Sequence, residues 1–301
     1  MRVLVTGGNS FIGVHLLRAL VAAGHSVTAT LRSEAEARPP VDVPCLIASL
    51  EDAERWATVG HEVRPECVIH LAGLALVTHA DASELYKTNV VGTDNLLKGL
   101  ASVADLRPQV LLASTSGVYG NQAAPLIDET LPPRPANHYA VSKLAMEFLA
   151  FQHAERFPLR VLRPFNVVGP GQNETFLVPK LVKHHVERSA ELQLGNLEPE
   201  RDFIDVRDVA RFVTRLIERP PEALDVVNLC SGVGTSIAQL LELLAQLTNH
   251  RPTITVNPQF VRKNEVWRIV GDNRKLSRLT GLNVQHTIRD TLEAMVGAPL
   301  R

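Results

Sequence analysis

An apolar, β-branched run from Arg2 to Thr6 has the pattern of a buried strand, and it stops at Gly7-Gly8. Apolar residues return at helical spacing from Val14 to Ala23, where Gly24 closes the helix as a C-cap. Val27 to Leu31 reads as the next strand. Strand, glycine turn, helix and strand make one βαβ unit. Further along, Val68 to Ala72 and Val110 to Ala113 read as buried strands that end in small or hydroxylated residues, Ala72-Gly73 and Ser114-Thr115-Ser116. Pro164 disfavours helix and sets Phe165-Asn166 after a strand. Apolar stripes predict helices around 82–104 and 138–156, and another over 175–188 beyond the Gly169-Pro170-Gly171 turn.

The chemistry suggested by this pattern lies at the element ends. The N-terminus of the helix after the first turn carries unpaired N–H groups and the positive end of a dipole, a ready site for a pyrophosphate. Its turn has Gly7, Ser10 and Gly13 where a dinucleotide fingerprint has three glycines; the Ser10 hydroxyl is expected to bond a phosphate oxygen itself. After the second strand an NAD site usually presents an acid to the ribose; Leu31 cannot serve, whereas Arg32 can pair with a 2′-phosphate, which favours NADP(H) and leaves NAD(H) admissible. Tyr139 and Lys143 stand four apart on one helix face. The ammonium is expected to lower the phenol from its usual pKa near ~10. A phenol tuned in this way exchanges a proton with a sugar or alcohol oxygen near neutral pH. The same spacing also suits an exposed helix with an aromatic anchor. His70 reads as a packed strand residue, and His184-His185 lack the partners of a metal site, so no metal is expected.

The chain has 301 residues, 45% hydrophobic and 21% charged, enough for one large α/β unit or two modest domains. A formal net charge of −1 gives no field that attracts nucleic acid or an anionic membrane, so neither is expected as a partner. Cys45, Cys67 and Cys230 are far apart and set among apolar residues, as reduced core thiols of a cytoplasmic protein would be. No signal peptide or membrane span is read.

Taken together, Thr6-Gly7-Gly8, Val68 to Gly73, Asn89-Val90-Val91-Gly92-Thr93, Ser114 to Gly120, Tyr139 to Lys143, Leu162 to Asn166, Gly169 to Gln172 and Arg201 to Val209 give the whole chain a resemblance to the extended short-chain dehydrogenase/reductases that modify nucleotide sugars. The resemblance implies an α/β fold: a Rossmann-type doubly wound parallel sheet over residues 1–166 and 201–230, with a smaller α+β substrate domain from 167–200 and 231–301. It implies Thr115, Tyr139 and Lys143 as the catalytic group, with Thr115 bonded to the same substrate oxygen as Tyr139. Cofactor contacts are implied at Gly7, Ser10, Phe11, Ile12, Gly13, Arg32, Leu50, Leu71, Ala72, Gly73, Asn89, Tyr139, Lys143 and Pro164, with Asn89 a support rather than a chemical group. Substrate contacts are implied at Thr115, Ser116, Asn166, Val178, Lys183, Arg201, Arg262 and Glu265, the two arginines holding a diphosphate.

Family members that remove water carry an acid at the position of Gly117, so dehydration is not expected here. Arg32 and the tail from Asn257 to Asp272 resemble the reductases of GDP-4-keto-6-deoxy sugars within the family. The expected activity is NADPH-dependent reduction of the C4 keto group of a nucleoside-diphosphate sugar. The alternatives are a 4-epimerase that retains NAD, and a non-catalytic nucleotide sensor, a class that commonly loses the tyrosine or lysine. A homodimer through helices 82–104 and 138–156 is also implied.

Overall fold

The computed structural model describes residues 1–74, 81–260 and 266–298. Its strands are β1 (Arg2–Thr6), β2 (Ser26–Leu31), β3 (Cys45–Ile47), β4 (Cys67–His70), β5 (Gln109–Ala113), β6 (Leu159–Pro164), β7 (Asn166–Val168), β8 (Glu191–Leu194), β9 (Glu200–Asp205), β10 (Leu224–Leu229), β11 (Gly234–Ser236), β12 (Thr253–Val256) and β13 (Arg268–Ile269). Its helices are α1 (Phe11–Ala22), α2 (Ala53–Val63), α3 (Ala82–Tyr86), α4 (Gly92–Ser102), α5 (His138–Phe151), α6 (Leu177–Val186), α7 (Val206–Leu216), α8 (Ile237–Thr248), α9 (Arg274–Thr280) and α10 (Ile288–Val296). A π turn over Lys87–Val91 joins α3 to α4, and a 3-10 turn spans Ser116–Tyr119.

Seven parallel strands form the large sheet in the order β10-β6-β5-β4-β1-β2-β3. Strands buried on both faces read as continuous apolar runs rather than alternating ones, which is why β1, β4, β5 and β6 are visible in the sequence. One face is covered by α1 and α7 through Leu16, Leu17, Leu20, Phe212, Val213 and Leu216. The other is covered by α2, α4 and α5 through Trp56, Val59, Leu96, Leu97, Leu100 and Met146. This is the doubly wound α/β fold expected from the sequence. Strand order reverses between β1 and β4, so a crevice opens at their carboxyl ends, where open α/β sheets bind ligands.

A second sheet has the order β11-β9-β13, with β7 also paired to β9. Strand β9 therefore lies in this smaller layer, and the chain rejoins the large one with α7 and β10. Helices α6, α8 and α10 pack around Val178, Leu181, Leu240, Leu244 and Leu292, beside the β8–β12 pair.

Several boundaries differ from the sequence reading: the stripe over 82–104 is divided into α3, the π turn and α4, and α5 ends at Phe151 rather than 156. Helix α1 begins at Phe11, not Val14, because the Ser10 side chain caps it by accepting the Gly13 amide at 3.1 Å. Strand β4 ends at His70 rather than Ala72, and α6 starts at Leu177 rather than Thr175. Among the described residues no helix is long and apolar enough to cross a membrane.

Candidate active site

The glycine turn after β1 is folded onto the end of β4. Gly7 has φ +69°, and a Cβ there would lie 2.9 Å from the Ala72 amide nitrogen. At Gly13 a Cβ would meet the Gly7 carbonyl oxygen at 2.4 Å, so the start of α1 can press against the turn only with glycine. Phe11 and Ile12 occupy the first turn of α1, whose amides have no acceptor within the helix. The Ser10 oxygen serves as the helix cap, and its hydroxyl proton remains available to an anion.

Beneath this crevice runs a directed hydrogen-bond chain. The Ala72 amide donates to Thr6 Oγ1 at 3.2 Å, and Thr6 Oγ1 lies 2.7 Å from His70 Nδ1. His70 Nε2 lies 2.9 Å from Thr93 Oγ1, which donates to the Asn89 carbonyl at 2.7 Å. Since Thr93 gives its one proton to that carbonyl, His70 must donate from Nε2 and accept from Thr6 at Nδ1. Burial pushes its pKa down to about 3, with Lys143 opposing its charge further, so the neutral ring is the stable one. His70 is thus packed within β4, between the two threonines.

Asn89 sits buried in the π turn. Its side chain accepts the Leu74 amide at 2.9 Å, donates to the Leu74 carbonyl at 3.2 Å and donates to Ser142 Oγ at 3.0 Å. It therefore fixes the backbone past β4 against α5. Between them, a Cβ on Gly73 would stand 2.8 Å from Asn89 Oδ1 and 3.3 Å from Lys143 Nζ. The lysine, the asparagine and the end of β4 converge on one point.

Helix α5 starts where Asn137 accepts the Ala140 amide at 2.9 Å, which places Tyr139 in its first turn and Lys143 one turn on. Lys143 is buried and donates to the Ala113 carbonyl at the end of β5, 2.9 Å away. Thr115, two residues further, caps the 3-10 turn by accepting the Gly117 amide at 3.1 Å and is hydrogen-bonded to the Tyr139 phenol. Ser116 is buried beside it. At Gly117 the nearest neighbours of an added Cβ would be Thr115 Oγ1 and the Ala140 side chain, so no carboxyl group stands at that position.

The expected depression of the tyrosine pKa is not what the structure gives. Burial pushes the Tyr139 phenol up to about 12, opposed only by the Thr115 hydrogen bond. Lys143 lies on the same helix face, but its ammonium is turned to the Ala113 carbonyl. Burial lowers Lys143 to about 8, with the Glu147 carboxylate opposing the fall.

The remaining expected residues divide. Leu71 follows β4 at the crevice, and Pro164 ends β6, beyond β5 on the same carboxyl edge of the sheet. Arg32 follows β2, and its guanidinium is 3.4 Å from Glu36, which also accepts the Arg32 amide at 2.9 Å and the Asn9 side chain at 3.4 Å. The sequence reading does not include Glu36; the available signal is an acid four residues after Arg32. Leu50 packs its side chain against Gly92 and gives its carbonyl to Asn95. Asn166 donates to the Asp202 carbonyl at 2.9 Å, which brings it beside Arg201 on β9. Val178 buries its side chain in the small layer, leaving its backbone at the start of α6, where no side chain caps the helix. Lys183 is paired to Glu174 at 2.6 Å and to Glu187 at 3.9 Å. Arg262 and Glu265 lie outside the described residues.

Residues 3–230 match the NAD dependent epimerase/dehydratase family. The GDP-6-deoxy-D-talose 4-dehydrogenase of Aggregatibacter actinomycetemcomitans is 35% identical over 302 residues, covering 98% of this chain and 97% of that protein. The GDP-6-deoxy-D-mannose reductase of Pseudomonas aeruginosa is also 35% identical, covering 98% and 96%. The solved structure of RMD from Pseudomonas aeruginosa complexed with NADPH superposes with a TM-score of 0.83 at 32% identity, covering 98% of each chain.

Proposed function

The chain belongs to the NAD dependent epimerase/dehydratase family, and on that premise we propose that it reduces the C4 keto group of a nucleoside-diphosphate 4-keto-6-deoxy sugar, with NADPH as the favoured reductant. The observation that carries this reading is that the Tyr139 phenol is paired with Thr115 just past β5, while Lys143, one turn on along α5, is bonded to the Ala113 carbonyl at the end of the same strand. Gly7, Gly13 and Gly73 let the turn after β1, the start of α1 and the segment past β4 pack closely, since a Cβ at any of them would meet protein atoms at 2.9 Å or less, and a dinucleotide would lie against these side-chain-free backbones. Phe11, Ile12, Leu71, Ala72 and Pro164 would line its binding crevice, Asn89 and Lys143 would hold the nicotinamide end, and Arg32 would meet a 2′-phosphate. The bound nicotinamide supplies the hydride.

The chain's own part is proton and charge control. Thr115 and Tyr139 both donate to the keto oxygen, which polarises it and fixes its place. A phenol held near 12 stays protonated at neutral pH, the form needed to give a proton to an alkoxide. Lys143, one turn away, stabilises the phenolate left behind. Asn166 and Arg201, on the paired strands β7 and β9, would hold the diphosphate, with Lys183, Ser116 and the Val178 backbone nearer the sugar and base. Both of the relatives named above act on GDP sugars, which supports a guanine nucleotide. Val91, Val141 and Phe148 are exposed on the π turn and α5, the faces through which a homodimer would form.

Mixing the purified protein with a GDP-4-keto-6-deoxy sugar and NADPH tests the reading. One NADPH should be consumed per sugar reduced, whereas a 4-epimerase would carry bound NAD and turn over with none added. A pH dependence follows from Lys143. Its ammonium is intact below about pH 8 and is lost as pH rises through that value. kcat/KM for reduction should therefore fall on the alkaline side with an apparent pKa near 8; a flat profile to pH 9.5 would remove Lys143 from this role.

A further inference from the structure

Glu147 follows Lys143 by four residues on α5 and is fully buried. Its carboxylate takes a fork of two bonds from Arg163, Nε at 3.1 Å and an Nη at 2.7 Å, and a hydrogen bond from Ser114. Arg163 belongs to β6 and Ser114 directly precedes Thr115, so one carboxylate ties α5 to the ends of two strands. Arg163 in turn lies 4.8 Å from the centre of the Tyr119 ring, whose hydroxyl donates to Asn228 on β10 at 2.8 Å.

The charge count in this buried region is uneven. Arg163 and Lys143 are two cations and Glu147 is one anion. Lys143's hydrogen-bonding neighbours, the Ala113 carbonyl and Met146 sulfur, are neutral. The other ionisable groups facing α5 are His70 on β4, neutral as argued above, and Tyr119 on the 3-10 turn. On α3 stand Glu84 and Tyr86, the latter bonded to His138. Lys87 of the π turn is paired to Glu51, and Asp94 of α4 to Lys98 and His153. A buried ammonium without a nearby anion gives up its proton.

We propose that Glu147 is a positioning residue for the reaction: it locks α5 onto β5 and β6 and supplies the negative charge that keeps Lys143 an ammonium. This rests on the reading of Tyr139 and Lys143 given above, but its test needs no substrate. With lysine labelled with 13C at Cε, the Lys143 signal is identified by its loss in Lys143→Met, and its titration is followed in the whole protein. Glu147→Gln, nearly isosteric and neutral, should move the midpoint down by at least one pH unit. Arg163→Met removes the competing cation and leaves the carboxylate to Lys143, so the midpoint should rise by about as much. A merely structural pair would move neither. The opposite directions keep the proposal testable if one variant does not fold. An unchanged midpoint in either folded variant overturns it, and this outcome is separate from any failure to reduce a keto sugar. In the active enzyme, the alkaline limb of kcat/KM should follow the same shifts.

Discussion

Tyr139→Phe is expected to lower kcat for reduction by roughly 10²–10⁴, the usual worth of a positioned general acid. The substitution keeps the ring that packs at the start of α5 and removes only the phenolic oxygen, so dinucleotide binding, followed by fluorescence quenching, should be unchanged. The argument depends on protonation state. The buried phenol, held near 12, is neutral across the working pH range and can act as a donor without being recharged first. Thr115 remains to polarise the carbonyl, so the loss should fall on kcat more than on KM. Turnover within threefold of the parent would mean that the proton comes from another group.

The second large effect is on stability. Asp202 is fully buried on β9, and its carboxylate accepts the Ser231 amide at 2.8 Å, the Ser231 hydroxyl at 2.7 Å, the Gly232 amide at 2.9 Å and the Gly271 amide at 3.2 Å. One side chain thus holds the loop after β10 and the segment after β13 against the strand that carries Arg201. Asp202→Ala would strand three backbone donors where water has little access. At about 1–3 kcal/mol for each unmet buried donor, less what relaxation recovers, the loss should be roughly 3–5 kcal/mol. Urea unfolding measures it. KM for the nucleotide sugar should rise as well, because the same loops frame Arg201 and Asn166. A loss below about 1 kcal/mol would show that the loops are held by other contacts.

Much of this architecture was legible in the chain. Strands β1, β4 and β5 are buried on both faces, so each reads as an unbroken apolar run, and each ends in a residue type that a binding edge needs. The turn at Gly7 and Gly13 is visible because no other residue permits that approach. Where the reading diverged from the structure, the cause lay in burial and in side-chain bonds that apolar spacing does not report. Helical spacing placed Tyr139 and Lys143 on one face, but spacing carries no information on burial, and burial sets the direction of both pKa values. The Ser10 cap lengthened α1 because local side-chain bonding can start a helix before its apolar period becomes visible. Glu36 and Glu147 carry no motif that announces them, and Asp202 stands within the Arg201 to Val209 stretch with nothing there to show its partners. Each matters through a partner brought close by folding: Asn9 for the first, Arg163 and Ser114 for the second, the 231–232 and 271 backbone for the third.

The central claim is that a hydride reaches C4 while Tyr139 protonates the oxygen on that carbon. Reduction of a GDP-4-keto-6-deoxy sugar with NADPH carrying deuterium on the transferred face of its nicotinamide tests it directly, with the product examined by mass spectrometry and proton NMR. The account predicts one deuterium per molecule, at C4 alone, with one equivalent of NADPH oxidised. A product with no label, a label at another carbon, or conversion without oxidation of NADPH would contradict it.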